Sequence, residues 1–219
     1  MFDSSKILDT PPQYLAGQLI IAMPGMRDPR FEKSVIYICA HNDDGAMGLM
    51  INRALESLTF PAMLEQLGID VVGAGDKINV HFGGPVESGR GFVLHSRDYR
   101  QKATIVVDQD VAMTATIDIL KAIAGGEGPR QSLLALGYAG WGPGQLDTEI
   151  KSNGWLHVAA DSDLGRGPIV PEDRHHPAGP VAVLVLVKRI AQCVSNAQFV
   201  YRVVDRLAAL GRRVEGVGR

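Results

Sequence analysis

The 219-residue chain has little cysteine, no long apolar run and no large excess of charge of one sign. Its two cysteines, Cys39 and Cys193, lie far apart in the sequence and do not form a disulfide framework, which favours a reducing compartment. The apolar run Val181–Val187 has seven residues, against the roughly 20 that cross a bilayer. The N-terminus lacks the apolar stretch of a secretory signal. We therefore expect a cytoplasmic protein without a membrane segment.

Sequence motifs for the common catalytic and cofactor chemistries are also missing. There is no Gly-x-Ser-x-Gly elbow, and the glycine-rich stretch 136–150 lacks both the Walker lysine and the dinucleotide spacing. Cys39 and His41, two residues apart on a predicted strand, supply two potential zinc ligands on one side, but a structural site needs four. Cys39 lies in an apolar run, where a thiol is inert. We therefore predict no catalytic, cofactor-binding or metal-binding residue, and no enzymatic activity.

Short apolar segments bounded by Gly, Pro, Asn or Asp predict a protein with more strands than helices. Because strands and helices do not alternate regularly, an α+β arrangement is favoured over a doubly wound one. The strands are predicted at 18–22, 34–40, 47–52, 78–84, 90–96, 103–108, 130–140 and 155–160, with a wide hairpin joining 78–84 to 90–96. The helices are predicted at 61–68, at 114–126 with Thr114 as its cap, and at 143–154.

The segments 17–53, 80–96 and 126–156 together resemble the AlgH/YqgE-like family of bacterial proteins, over about residues 12–164. The resemblance implies an α+β domain whose bifurcated mixed β-sheet folds into a pseudo-barrel with a few flanking helices. It also implies a cytosolic bacterial protein of uncharacterised activity. One branch of the family takes its name from a proposed role in regulating transcription of alginate genes.

The chain changes character near Leu164. Residues 1–164 carry a net charge of −7, whereas residues 165–219 carry +5 and form a basic tail rich in Arg, Gly and Pro. Family members end differently, so we hypothesise that the reading frame diverges near Leu164 and that 165–219 is frame-shifted or replaces the family's C-terminus. Because phosphate binding needs clustered Lys and Arg, which only this tail supplies, direct nucleic-acid binding by the domain is disfavoured.

Two functions remain open. The first is a non-enzymatic regulatory protein that acts through an unknown protein partner. The second is a small-molecule binding protein or enzyme with a pocket between the Gly83-Gly84 hairpin and the Gly137–Gly144 loop. Convergence of His81, Glu87, Arg90 and Tyr138 in a cavity would favour the second function. Acid/base catalysis would need two of the strand histidines, His81, His95 and His157, to meet beside a carboxylate such as Glu87 or Asp43.

The glycine-rich stretch 136–150 itself has a local explanation. Pro143 suits a first helical position, Gly142 can act as the cap, and Gln145 can reach back to it as in a capping box. Trp141 and Leu146 have the spacing of a hydrophobic staple. This interpretation leaves Gly137, Tyr138 and Gly140 without a reason.

Overall fold

A computed structural model describes residues 14–70 and 78–158 of the chain. This part is an α+β fold, as predicted, with ten strands and three short helices. The elements are β1 Leu19–Ala22, β2 Val35–Asn42, β3 Gly45–Met50, β4 Ala54–Thr59, α1 Phe60–Gln66, β5 Asn79–Phe82, β6 Val86–Ser96, β7 Ile105–Val106, β8 Val111–Thr114, α2 Ile117–Ala124, β9 Ser132–Trp141, α3 Gln145–Lys151 and β10 Trp155–Val158.

The strands form one sheet that branches at β9, so the bifurcated mixed sheet is confirmed. The main path runs β10-β1-β2-β3-β9-β6-β8-β7, and β5 leaves it by pairing with β9 and β4. β9 pairs with β5 in parallel and with β6 and β3 antiparallel. A single strand thus holds three neighbours, because its first part lies between β5 and β6 and its last part lies beside β3.

The sheet curls around an apolar interior without closing into a barrel. Within the described residues, the end strands β7 and β10 do not pair with each other. A side-chain hydrogen bond instead joins the β2 side of the curled sheet to the β7 side. The Tyr37 hydroxyl on β2 donates to Asp108, just after β7, at 2.6 Å. The interior draws residues from six strands and from Ile51, just after β3; the strand residues are Leu19, Ile21, Val35, Tyr37, Cys39, Leu49, Phe92, Leu94, Val111, Met113 and Ala135.

The three helices cover the outer surfaces of the sheet. Helix α3 contributes Leu146 to an outer cluster with Ile20, Ile36 and Trp155. Helices α1 and α2 contribute residues to another outer cluster, with Phe60 and Ile119 fully buried. Both faces of the central strands are therefore covered, which explains why their apolar runs are continuous rather than alternating. No helix among residues 14–70 and 78–158 has the length and apolar character to cross a membrane.

Two local predictions were wrong, and one strand was missed. The expected hairpin of 78–84 with 90–96 does not exist, because β9 lies between β5 and β6 and pairs with both. Thr114 does not cap α2: it is buried in β8, and α2 begins at Ile117 after the cap residue Thr116. β4 was not predicted, because most of its residues are exposed and it has no apolar run. The predicted domain boundary at 164 and the tail 165–219 lie outside the described residues.

Candidate functional site

Glycines at the branch of the sheet allow backbones to touch. A Cβ on Gly83 would lie 2.2 Å from the Gly137 carbonyl oxygen, and one on Gly84 would lie 2.1 Å from the Tyr138 carbonyl carbon. Gly137 also has a φ of 72°, a left-handed value that suits glycine. These glycines let β9 bend between its neighbours. The Gly83-Gly84 and Gly137 signals therefore have a structural origin, and none of the three lines a cavity described below.

An open cleft of about 600 Å³ lies where the apolar interior reaches the surface. We call it the mouth cleft. Met47 and Tyr138, which pack against the interior cluster, form its floor together with Phe92 and Met113. The remaining lining residues come from β2, β3 and the loop between them, from β6, β7 and β9, and from Ala115 after β8: Ala40, Asn42, Asp44, Gly45, Ala46, Val86, Glu87, Arg90, Ile105, Ala115, Gly140 and Trp141.

An irregular stretch of β6 places two charged residues on the rim of the mouth cleft. Val86 pairs with Tyr138 and Gly91 pairs with Leu136, so more residues of β6 than of β9 lie between these two pairs, and the extra ones bulge outward. Within the bulge, Glu87 has a φ of 47°, which is unusual for a residue with a side chain. Arg90 Nη1 donates to Glu87 Oε2 at 3.0 Å, and the guanidinium carbon lies 5.1 Å from the centre of the Phe92 ring.

Tyr138 and Gly140, left without a reason by the helix-cap interpretation, both belong to the mouth cleft. The Tyr138 ring meets the Phe92 ring edge-on, with centres 5.6 Å apart and an angle of 72°. A Cβ on Gly140 would lie 3.1 Å from Cε2 of Tyr138, so the glycine leaves room for the ring. The hydroxyl of Tyr138 forms no hydrogen bond to another described residue. It is therefore available to a ligand.

Three of the four residues named for the predicted pocket meet here, and the fourth does not. Glu87, Arg90 and Tyr138 line the mouth cleft, whereas His81 lies on β5, paired with Ala54 and Ala135. Nδ1 of His81 is 3.1 Å from the carbonyl oxygen of Asn79 on its own strand. Burial lowers the pKa of His81 below its ordinary value. The structure therefore brings Glu87, Arg90 and Tyr138 to one cleft, but neither His81 nor the Gly83-Gly84 segment, which was predicted to bound the pocket, lines it.

Cys39 and His41 do not form a metal-binding pair. The register of β2 against β3 shifts between Ile38 and Ala40, and this bulge reverses the expected alternation. Cys39 points into the interior, where burial raises its thiol pKa to about 12. His41 instead accepts a hydrogen bond from the Leu15 amide at Nδ1, and its Nε2 lies 3.4 Å from Asp147. In residues 14–70 and 78–158, no three His, Cys, Asp or Glu side chains gather as metal ligands would.

The remaining strand histidines are also placed separately. His95 on β6 is fully buried, and its Nε2 is 2.9 Å from the hydroxyl of Thr114. Its Nδ1 is 2.9 Å from the Ser96 carbonyl oxygen, and burial lowers the pKa of the ring. His157 lies on β10, opposite Ile20 of β1. His81 bonds within its own strand, whereas His95 joins β6 to β8 through Thr114, and the hydrogen bonds of these two rings do not join one histidine to another.

Comparison with known proteins identifies the family. The family model described as AlgH-like matches residues 19–172. A UPF0301 protein of Rhodospirillum rubrum is 58% identical over 151 residues, which cover 69% of this chain and 79% of the relative. A second UPF0301 protein, of Bradyrhizobium diazoefficiens, is 56% identical over 73% of this chain and 78% of the relative. The chain belongs to the AlgH-like family.

Solved structures agree with this assignment. The solution structure of the AlgH protein from Pseudomonas aeruginosa has a TM-score of 0.60 and 43% identity, covering 74% of this chain and 82% of that protein. A crystal structure of a protein from Corynebacterium diphtheriae, at 19% identity, has a TM-score of 0.54 and shares the fold. The resemblance inferred from the sequence motifs is confirmed, and the AlgH-like domain supplies the frame for the mouth cleft.

Beside the mouth cleft, the AlgH-like domain positions α3 through a carboxylate that the sequence did not single out. The predicted contact is present, since the Gly142 amide donates to Gln145 Oε1 at 3.0 Å, but α3 begins at Gln145 rather than Pro143. Glu149 Oε2 accepts from the indole nitrogens of Trp141 at 3.0 Å and Trp155 at 2.7 Å. Its spacing of eight and six residues from the two tryptophans was the available signal.

Proposed function

We propose that this AlgH-like domain is a non-enzymatic binding protein and that the mouth cleft receives a small ligand with an apolar body. One observation carries the proposal: an open apolar cleft of about 600 Å³ continues from the interior and carries polar groups at its rim. A ligand there would bury its apolar part on Met47 and Met113. It would meet the Glu87–Arg90 pair and the Tyr138 hydroxyl at its polar end. Mostly apolar sites with a few polar groups are typical of ligand pockets.

The lining of the mouth cleft supports binding rather than catalysis. The described lining contains no serine, cysteine, histidine or lysine, and of its two carboxylates, which could act as bases, that of Glu87 is already paired with Arg90. The free thiol of Cys39 is buried with its pKa raised to about 12, so the reactive thiolate is scarce at neutral pH.

A regulatory contact with a protein partner is a second function that the same surface supports. Ile105 is 53% exposed and Val106 is 40% exposed on β7, and Val86 is 36% exposed across the cleft. Exposed apolar side chains around a pocket favour protein contacts. As part of this proposal, the protein is cytoplasmic and does not bind nucleic acid directly. The mixed charges of the rim, two carboxylates and one guanidinium, support the latter.

The test uses three probes that share a phenylethyl body and differ in the terminal group: 2-phenylethylammonium, 3-phenylpropionate and 2-phenylethanol. At a ligand efficiency of about 0.3 kcal/mol per heavy atom, probes of this size bind with Kd values of roughly 10 mM. Saturation-transfer NMR should detect binding to the full-length protein. Because Ala40 is an exposed residue of the lining, Ala40→Trp should fill the cleft and remove the signal.

Ala54→Trp is the matched control, because Ala54 is also an exposed strand alanine but lies on β4, outside the lining. It should bind the probes as the unaltered protein does. Binding of none of the three probes, or equal binding to the Ala40→Trp and unaltered proteins, would contradict the proposed site.

A further inference from the structure

The mouth cleft has more carboxylates than cationic groups, and one of its carboxylates has no cationic partner among the described residues. Arg90 is already paired with Glu87, whereas the carboxylate of Asp44 forms no ion pair or hydrogen bond with another described residue. Only the backbone amide of Asp44 is engaged, by donating to Asn42 Oδ1 at 3.0 Å. With two carboxylates and one guanidinium, the rim carries a net charge of −1. Such a rim attracts cations and repels anions.

The aromatic rings give the same preference. The face of an aromatic ring carries negative electrostatic potential and attracts a cation within about 6 Å of its centre. The Arg90 guanidinium already lies in this relation to Phe92, at 5.1 Å, with Glu87 beside it. The cleft therefore contains an internal cation held between an aromatic ring and a carboxylate.

A second aromatic ring, that of Tyr138, and a second carboxylate, that of Asp44, line the same cleft and contact no cation from the described part of the chain. Tyr138 stands edge-on to Phe92, and both Tyr138 and Asp44 line the cleft. The cation–π contacts of the described residues involve Phe31 and Phe92 and do not include Tyr138. The Tyr138 ring and the Asp44 carboxylate are thus both available to a positive group.

We propose that the mouth cleft selects an organic cation, an amine or guanidinium group on an apolar body, bound by the Tyr138 ring and the Asp44 carboxylate. This inference rests on the proposed function, since it names the ligand class of the same cleft. The apolar body lies on Met47 and Met113, and the charge lies at the rim.

The three phenylethyl probes separate this inference from the function on which it rests. An exposed ion pair contributes about 0.2–1 kcal/mol and an exposed cation–π contact about 0.5–1 kcal/mol. The ammonium probe should therefore bind roughly 3- to 30-fold more tightly than the alcohol, and the carboxylate probe should bind most weakly. The preference for the ammonium should shrink in high salt, because the charges are exposed.

Substitutions test the two named groups. Asp44→Asn should weaken 2-phenylethylammonium binding by about two- to fivefold and leave 2-phenylethanol binding unchanged within twofold. Asp43→Asn is the matched control: Asp43 is the adjacent exposed carboxylate, lies outside the lining and accepts a hydrogen bond from Tyr14. It should leave the binding of all three probes unchanged within twofold. Tyr138→Leu should reduce the ratio of ammonium to alcohol affinity.

The binding results distinguish failure of the cation inference from failure of the proposed function. If the alcohol or the carboxylate binds as tightly as the ammonium, and Ala40→Trp abolishes that binding, the cleft is a ligand site and the cation inference is wrong. Equal effects of Asp44→Asn and Asp43→Asn would also overturn the cation inference. If no probe binds, the proposed function and the cation inference both fail.

Discussion

The hydrogen bond between Tyr37 and Asp108 is expected to hold the two sides of the curled sheet together. Tyr37→Phe removes the hydroxyl and keeps the ring, which is 7% exposed in the interior cluster. The bond is short, at 2.6 Å. The other carboxylate oxygen of Asp108 accepts from the amides of Asp110 and Val111, so the same side chain also fixes the turn before β8.

The expected magnitude follows from the setting of this bond. A hydrogen bond to a charged group contributes about 1.5–3 kcal/mol. Asp108 is only half-buried, so water can replace part of the lost contact. We therefore expect Tyr37→Phe to lower the free energy of unfolding by about 1.5–2 kcal/mol. For a chain of this size, that loss lowers Tm by about 3–8 °C.

Urea unfolding of the full-length protein, followed by tryptophan fluorescence, measures this loss. The control is Tyr14→Phe, because the Tyr14 hydroxyl also donates to a carboxylate, that of Asp43 at 3.0 Å, but at the exposed surface. Its loss should be clearly smaller, and neither variant should change the urea m-value. Equal losses for the two variants would refute the reasoning that the half-buried Tyr37–Asp108 contact joins the two sides of the sheet.

Three further perturbations test the packing. Gly137→Ala should destabilise the fold by roughly 2–4 kcal/mol in urea, because a Cβ would lie 2.3 Å from the Gly84 carbonyl oxygen. Gly144→Ala, also at positive φ but in open space, should cost only about 1 kcal/mol, and equal losses would contradict the packing argument. Glu149→Gln should lower the free energy of unfolding by about 1–3 kcal/mol and change the near-UV circular dichroism, because the Glu149 carboxylate accepts hydrogen bonds from both tryptophan indoles. An unchanged spectrum would argue against that role. Burial lowers the pKa of His95 in the folded protein, so the unfolded chain takes up a proton at a higher pH than the folded chain does. The free energy of unfolding should therefore fall as the pH drops below about 6.5. An NMR titration that gives a His95 pKa at or above 6.5 in the folded protein would contradict this.

The sequence predicted the strands that are buried on both faces, because such strands appear as continuous apolar runs. β1 is buried throughout and β2 over its first five residues, and both appeared as apolar runs because the sheet is covered on both faces. β4 was missed because a largely exposed edge element has no such run. The supposed hairpin was wrong for another reason: strand neighbours are set by long-range pairing, and β9, some 50 residues later, takes the place between β5 and β6.

The residues of the mouth cleft were predicted only in part, because the sequence records local features but not which strands become neighbours. Glu87 and Arg90 lie among glycines, which predicted a hairpin loop, whereas the structure has them in an exposed bulge of β6 beside Tyr138. His81 was misplaced because the order of strands, rather than sequence proximity, decides which side chains share a cavity. The β2 bulge that separates Cys39 from His41 has no sequence signal in these residues, so the alternation rule placed them together.

The most direct test of the central claim is methyl NMR of the full-length protein labelled with ¹³C at its seven methionine methyl groups, titrated with 2-phenylethylammonium. Met47 and Met113 lie in the mouth cleft, whereas Met63 packs in the outer cluster with α1 and α2. Substitution of Met47, Met63 and Met113 by leucine, one at a time, assigns the three signals. The account predicts saturable shifts of the Met47 and Met113 signals and none at Met63, with Ala40→Trp abolishing the response. Unmoved signals of Met47 and Met113, or an equal shift of Met63, would contradict it.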